Sequence, residues 1–388
     1  MKKICVFTGA RSEYGLLKPL MDEIASDKDM QLQIIASGMH LSPDFGLTYK
    51  EIEKDGFKIN EKIEILLGSD TPVGISKSIG LGLISFSESL QRLKPDMAVI
   101  LGDRFEALAF ATACYISLAP IAHLYGGELT EGSIDEGIRH SITKMSFLHF
   151  TAIEEYRKRV IQLGESPDRV FNVGALGIDN IKKMKLLTKK NLEQKLNIKF
   201  KKHNMLVTFH PVTLEGMKTE KQFADLLKAL DELKDTMLIF TKANADSDGR
   251  IINALIDEYV AKNKDKAAVF GSMGQLLYLS TMQYVDAVVG NSSSGIIEAP
   301  SFKIVTINIG DRQRGRIKSG SIIDCKPIYS DIKKAINVLY GEQFQKKIKN
   351  TINPHGDGTA AGKIKSIIKN YDMGDIKKRF YDIYTGIV

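Results

Sequence analysis

Short apolar runs alternate along the chain with longer stretches in which apolar residues recur at helical spacing. Residues 3–8 form a compact apolar run that breaks at Gly9-Ala10-Arg11. Leu16, Leu17, Leu20, Met21 and Ile24 then fall on one helical face. The opening therefore reads as strand, tight turn and helix. Residues 31–36 predict a second strand, ending at Ser37-Gly38-Met39-His40. The pattern predicts helices over 44–55, closed by Gly56, and over 74–93. A third strand, 97–101, stops abruptly at Gly102-Asp103-Arg104 and is followed by helix 105–117. A fourth, 121–125, stops at Gly126-Gly127-Glu128, ahead of Asp135, Glu136, Arg139 and His140. Strand 149–152 and helix 154–163 continue the alternation, which predicts a doubly wound α/β domain.

A second series of the same kind follows. Residues 170–173 end at Gly174, and 175–187 carry the chain away. Strands are predicted over 205–209, 237–241, 267–270, 287–289 and 304–307, with helices over 221–233, 250–262 and 273–281 between them. The last helices are expected to begin near Lys333 and Lys363. The expectation is thus an α/β protein of two Rossmann-like domains facing each other across a cleft. Residues 1–175 would form the first domain and 176–365 the second.

Length agrees with this division, since 388 residues exceed one ordinary core. The 43% hydrophobic and 26% charged residues are those of a globular protein rather than a disordered or fibrous one. No run of about 20 apolar residues suggests a membrane span. The N-terminus lacks the apolar core and cleavage site of a signal peptide. Cys5, Cys114 and Cys325 are scattered without metal-ligand spacing, so a reduced, cytoplasmic protein is expected, with no metal site. The net charge of +7 is spread over surface-like lysines such as Lys182, Lys185 and Lys189, without aromatic interleaving. That distribution argues against nucleic acid and suits an enzyme taking small anionic substrates.

In open parallel sheets, ligands sit outside the carboxyl ends of the strands. The glycine-terminated strand ends therefore nominate the chemistry. Gly290-Asn291-Ser292-Ser293-Ser294-Gly295 leads from a strand into a helix. Backbone N–H groups and the helix dipole at such a turn favour phosphate, and Ser292 and Ser293 add hydroxyls. Glu298, one turn on, suits a ribose diol. A plain Ser N-cap is the competing reading. Arg312, Arg314 and Arg316 follow the next strand and would strengthen a diphosphate site, although solvated surface arginines are expected among them. Arg11 follows the first strand and is a further candidate for the anion. The opening turn is not the Gly-x-Gly-x-x-Gly dinucleotide fingerprint, because Arg11 and Glu13 occupy it.

Asp103, Glu128, Asp135 and Glu136 place several carboxylates at one rim, where acid/base chemistry is possible. A helix cap at Asp103 and an ordinary helix-face pair between Glu136 and Arg139 are the competing readings. His40, His123, His149 and His210 all fall at or near strand ends. A lone histidine is more often structural, and His210, fixed by Pro211, is the best functional candidate.

Together these motifs resemble the hydrolysing UDP-N-acetylglucosamine 2-epimerases of the bacterial sialic acid pathway. The resemblance runs through Gly9 to Gly15, Ser37 to His40, Gly102-Asp103-Arg104, Gly126-Gly127-Glu128, Asp135 to Lys144, His210-Pro211-Val212-Thr213, Gly290 to Gly295 and Gly310-Asp311-Arg312-Gln313. It implies a GT-B-like fold whose C-terminal helix, over 366–388, returns to the first domain. It implies elimination of UDP to a 2-acetamidoglucal and hydration to N-acetylmannosamine, with no metal or other cofactor. By resemblance Asp103 and Asp135 match acid/base carboxylates. Arg11, Arg104, His210, Ser292, Ser293, Glu298 and Arg312 match UDP-contacting positions, and Asn244 matches a loop residue near the nucleotide. A homo-oligomer, dimer or tetramer, is also implied.

One position departs from the pattern. Many relatives carry a catalytic Glu where this chain has Tyr125. Either Glu128 or Glu131 supplies that carboxylate, or the substrate is a different sugar, such as UDP-N,N'-diacetylbacillosamine. A glycosyltransferase on the same fold, a non-hydrolysing epimerase and a silent UDP-sugar sensor stay open as alternatives.

Overall fold

The computed structural model describes residues 1–69, 71–130, 133–211, 219–243, 249–374 and 376–383. The chain divides into two compact units. The first comprises Met1–Glu128, Asp135–Asn180 and His355–Val388; the second comprises Leu129–Ile134 and Ile181–Pro354.

The first unit is built on a seven-stranded parallel sheet in the order β3-β2-β1-β4-β5-β6-β7. The strands are β1 (Lys2–Thr8), β2 (Met30–Ser37), β3 (Glu61–Ile63), β4 (Met97–Leu101), β5 (Ile121–Leu124), β6 (Leu148–Thr151) and β7 (Val170–Asn172). Helices cover the sheet, so the inner strands read as continuous apolar runs rather than alternating ones. One face is packed by Phe7, Phe86 and Phe110, with Phe7 stacked on Phe110 at 4.7 Å and Phe86 edge-on to both.

The second unit repeats the plan with six parallel strands in the order β10-β9-β8-β11-β12-β13. These are β8 (His203–Thr208), β9 (Thr236–Thr241), β10 (Ala267–Phe270), β11 (Ala287–Gly290), β12 (Val305–Ile309) and β13 (Ile322–Cys325). Met205 and Val207 pack on one face with Phe209, Phe223 and Phe240, and Leu206 packs on the other with Ile239 and Met282.

The strand order reverses between β1 and β4 in one sheet and between β8 and β11 in the other. The crevices that doubly wound sheets use for ligands lie at those switch points. The doubly wound expectation is met in both halves. The short strands β3 and β13 were not anticipated. Each lies at a sheet edge, and both carry charged residues, as edges do to resist pairing with other chains.

The helix expected over 44–55 is only Tyr49–Lys54, preceded by 3₁₀ turns at Gly38–Leu41 and Pro43–Phe45. Pro43 and the left-handed Gly46 (φ 84°) stop a longer helix. The helix expected over 366–388 is Ala360–Asn370, and the described residues beyond it are neither helix nor strand. The Ala360–Asn370 helix lies in the first unit. Its first turn is capped there by the Asp179 carboxylate, which accepts from the Ala360 and Ala361 amides at 3.0 and 2.8 Å. At its other end Lys2 Nζ donates to Ile368 O, and Lys369 pairs with Asp27 and Asp29. The two main crossings between units fall at Asn180–Ile181 and Pro354–His355 rather than 175–176 and 365–366, and Leu129–Ile134 is a further short excursion into the second unit.

Candidate active site

The first unit's switch point is a network of charge. β1 ends at Gly9, where Glu13, from the first turn of helix Arg11–Ala25, reaches back. Its Oε2 accepts from the Gly9 and Ala10 amides at 2.7 and 3.2 Å, satisfying donors the helix cannot. Burial pushes the Glu13 carboxyl up to about 7. Glu106, fully buried, lies beside it and is held by the Arg104 guanidinium through two bonds of 3.2 and 3.3 Å. Sequence reasoning passed over both glutamates as site residues. In the sequence Glu13 stands out as breaking a fingerprint and as part of the Gly9–Gly15 motif, and Glu106 only as one residue of a helix.

β4 ends at Gly102-Asp103, and β5 at Tyr125-Gly126-Gly127-Glu128. The two ends are tied by Arg139, three positions after Glu136 on helix Asp135–Met145. Arg139 is 1% exposed. It donates to the Asp103 carboxylate through NH2, and to Glu136 Oε2 (2.9 Å) and Glu128 O (2.8 Å) through NH1. Burial alone would lower its pKa, but the charges of Asp103, Glu128 and Glu136 outweigh that and raise it. Helix-face pairing of Glu136 with Arg139 is real, and the same guanidinium also gathers Asp103. Asp135 opens that helix, so the four sequence-nominated carboxylates, Asp103, Glu128, Asp135 and Glu136, belong to one neighbourhood. Glu131 lies outside the described residues.

Two histidines of this unit, His123 and His40, are fully buried and held by neighbouring carbonyl and hydroxyl groups. His123 lies between Gly102 O (Nε2, 2.8 Å) and Thr143 Oγ1 (3.2 Å), and burial pushes it down to about 3. His40 bridges Thr8 and Thr48 and is pushed down by burial to about 4. Tyr125 adopts a left-handed backbone (φ 66°), uncommon for a bulky residue. Its hydroxyl accepts a long bond, 3.4 Å, from the Gly177 amide. Gly127 follows at φ 78°, where a Cβ would lie 2.3 Å from Tyr156 O. The turn is thus fixed in a shape that only glycine allows at this position. Arg11, at the start of its helix, pairs with Glu51 at 2.7 Å.

The second unit's switch point is shaped mainly by uncharged groups, with Arg312 and Glu298 at its margins. Asn291 clips the end of β8: its Oδ1 accepts from the His210 amide (2.7 Å) and its Nδ2 donates to His210 O (2.8 Å). Gly290, at φ 132°, crosses so close to β8 that a Cβ would meet Thr208 O at 1.9 Å. Ser292 caps helix Ser293–Ile297, accepting from the Ser294 amide. Gly295 packs on Thr306, whose hydroxyl donates to Gly295 O at 2.6 Å. Arg312 and Gln313 both donate to Asn291 O, at 3.2 and 2.8 Å, which brings Arg312 to the same turn. Arg314 is surface-exposed beside Asp311, and Arg316 donates to Leu129 O. His210 and Glu298 are both largely buried. Asn291 thus ties the His210 backbone and Arg312 to the Ser292-Ser293 turn, with Glu298 at the end of the same short helix. Asn244 and Thr213 lie outside the described residues.

Two doubly wound parallel-sheet units, each with its polar residues at the strand-order switch, define the GT-B-like class of folds. The whole chain superposes on an S. aureus MnaA solved with UDP at a TM-score of 0.80 and 19% identity, covering 98% of this chain and 100% of that one. The model of the family described as UDP-N-acetylglucosamine 2-epimerase matches residues 22–369. The chain belongs to that family. It is 49% identical over 384 residues to a GDP/UDP-N,N'-diacetylbacillosamine 2-epimerase (hydrolyzing) of Campylobacter jejuni, covering 98% of this chain and 99% of the relative. It is 30% identical over 389 residues to a UDP-N-acetylglucosamine 2-epimerase of Neisseria meningitidis, covering 99% and 100%.

Proposed function

We propose that the protein is a hydrolysing 2-epimerase whose substrate is the nucleotide-linked N,N'-diacetylbacillosamine, with UDP-N-acetylglucosamine the second candidate. The observation that carries the chemistry is the gathering of Asp103 and Glu136 by the buried Arg139 at the first unit's switch point. Asp135 heads the same helix. The C2 proton of an N-acetylated sugar is weakly acidic, so a positioned carboxylate and a stabilised leaving group must share the work. Asp103 and Asp135 act as the acid/base pair. Arg139 fixes their end of the unit through its bond to the Asp103 carboxylate. As the C2–H bond breaks, the electron pair forms the C1–C2 double bond and the nucleotide diphosphate leaves with the C1–O bond pair. Water then adds at C1, and a proton returns to C2 on the opposite face.

The diphosphate is taken by the second unit. The Ser292-Ser293 turn offers amides and hydroxyls, Arg312 supplies charge, and Glu298 accepts from the ribose. Arg11, Arg104 and His210 are further nucleotide contacts in this reading.

The choice of sugar rests on similarity. Identity to two relatives named for diacetylbacillosamine is 49% and 33%, against 30% to one named for N-acetylglucosamine, all over nearly the whole chain. Tyr125, in place of the Glu of many relatives, fits a site altered for another sugar. The test is a side-by-side rate comparison of UDP- and GDP-linked diacetylbacillosamine with UDP-N-acetylglucosamine. Faster release of the free 2-epimer from a diacetylbacillosamine nucleotide supports the assignment. Preference for UDP-N-acetylglucosamine would transfer it to the second candidate. Product still attached to the nucleotide would exclude hydrolysis.

A further inference from the structure

Beyond helix Ala360–Asn370 the described residues form neither helix nor strand, yet they are bound to the first unit at several points. Tyr371 stands edge-on to Phe147 and Phe171. The Lys377 carbonyl accepts from Arg169, and the Tyr381 amide donates to Gly164 O at 2.9 Å. Phe380 lies so close over Gly164 that a Cβ there would meet its ring at 2.3 Å, and Lys144 Nζ sits 5.0 Å from the ring centre.

The key to this segment is Lys378. Its ammonium has three N–H donors. It donates to Lys144 O at 2.8 Å and Ser146 O at 2.6 Å, and pairs with the Glu165 carboxylate at 2.7 Å. Those two carbonyls stand at the C-terminal end of helix Asp135–Met145, where helical carbonyls lack partners and the dipole favours a cation. Glu165 is 1% exposed and also accepts from Lys144 and His149, at 2.6 and 3.0 Å. Burial alone would raise its pKa, but those hydrogen bonds and the one from Lys378 hold it at about 2.

The other end of the same helix begins with Asp135 and Glu136, with Arg139 one turn in. Eleven residues span about 16 Å, a short rigid rod. We propose that the C-terminal segment is a latch on this helix and that Lys378 is a positioning residue for the acid/base end. By filling the far cap, it fixes the helix along its axis and in rotation. Asp135 and the Arg139 grip on Asp103 are set by that placement. Small misplacements of reacting groups cost up to about 100-fold in rate without weakening binding. This proposal rests on the hydrolysing-epimerase reading for its kinetic arm.

The test uses the full chain with Lys378→Met, Lys378→Arg and Phe380→Ala. Phe380→Ala loosens the latch while leaving the Glu165 partners in place. The expected result for Lys378→Met is a kcat lowered by about 10- to 100-fold with KM within about threefold. Amide exchange should rise in helix Asp135–Met145 while β1 and β4 stay protected. Lys378→Arg should restore most of kcat, and Phe380→Ala should lower it to a lesser degree. An unchanged kcat in a variant whose helix exchange has risen would overturn the proposal. So would a rise in exchange spread evenly over the unit, which marks general destabilisation. If the unaltered protein turns over neither sugar, the epimerase reading fails. The exchange profile then still decides whether the segment holds this helix.

Discussion

The two switch points share a topology and differ in chemistry. In the first unit, Arg139 and Arg104 are bonded to carboxylates, and Glu13 and Glu106 are buried beside them. In the second, the turn after β11 is shaped by Asn291, the Ser292 hydroxyl and two close-packed glycines, with Arg312 donating to its backbone. Proton transfer needs groups whose protonation is set by neighbours, and fixed charge does that. Anion binding needs donors aimed at one point without a built-in counter-charge, and backbone amides do that. In the proposed function, one fold plan used twice would separate acid/base work from nucleotide holding.

The sharpest way to break this contrast is Arg139→Met. It takes the buried guanidinium from the half-buried Asp103 and Glu136 carboxylates and from the Glu128 carbonyl, and each lost hydrogen bond to a charged group costs about 1.5–3 kcal/mol. Thermal unfolding should register a large drop, and turnover should vanish. A stable, active variant would remove Arg139 from the centre of the account. Asp103→Asn is milder for the fold. Turnover should fall by about 100- to 10,000-fold, with nucleotide affinity within a few fold by calorimetry. Joint loss of turnover and affinity would mean that Asp103 holds nucleotide or structure instead.

In the second unit the expected effect moves from rate to binding. Ser292→Ala with Ser293→Ala should weaken UDP binding by about 1–3 kcal/mol. Unchanged affinity would leave the turn as a plain helix cap. The smallest effect is in pH. Burial raises Glu13 to about 7, above its unfolded value near 4.5. Its protonated form is favoured in the folded state, so its contribution to stability is present below about pH 4.5 and is lost as pH rises through 7. The buried histidines act with the opposite sign. His123 and His40, at about 3 and 4, contribute stability above their unfolded value near 6.5 and lose it as pH falls through their folded values. Glu13→Gln should therefore remove a decline in stability between about pH 4.5 and 7, measured by denaturant unfolding. A decline that persists in the variant would assign it elsewhere.

The strand-helix alternation was legible because both sheets are buried on both faces, which leaves continuous apolar runs punctuated by glycine. The nominated turns were legible for the same reason: Gly102, Gly127 and Gly290 mark strand ends where the backbone is left-handed or crowded. The order of strands was not, since it depends on which runs pair. The role of Arg139 was only half visible, because its partner Asp103 is 36 residues away. Glu13 and Glu106 were passed over because burial, not spacing, makes them unusual. The C-terminal segment was misjudged as helix because Lys378 and Phe380 are held by side-chain contacts that carry no periodicity.

The most direct measurement is turnover of the diacetylbacillosamine nucleotide in deuterated water, followed by mass and proton spectra of the released sugar. The expected result is one deuterium at C2 of the free 2-epimer together with stoichiometric nucleotide diphosphate, and neither product from Asp103→Asn. Release of nucleotide diphosphate with C2 still carrying protium would contradict proton transfer at the first unit's rim.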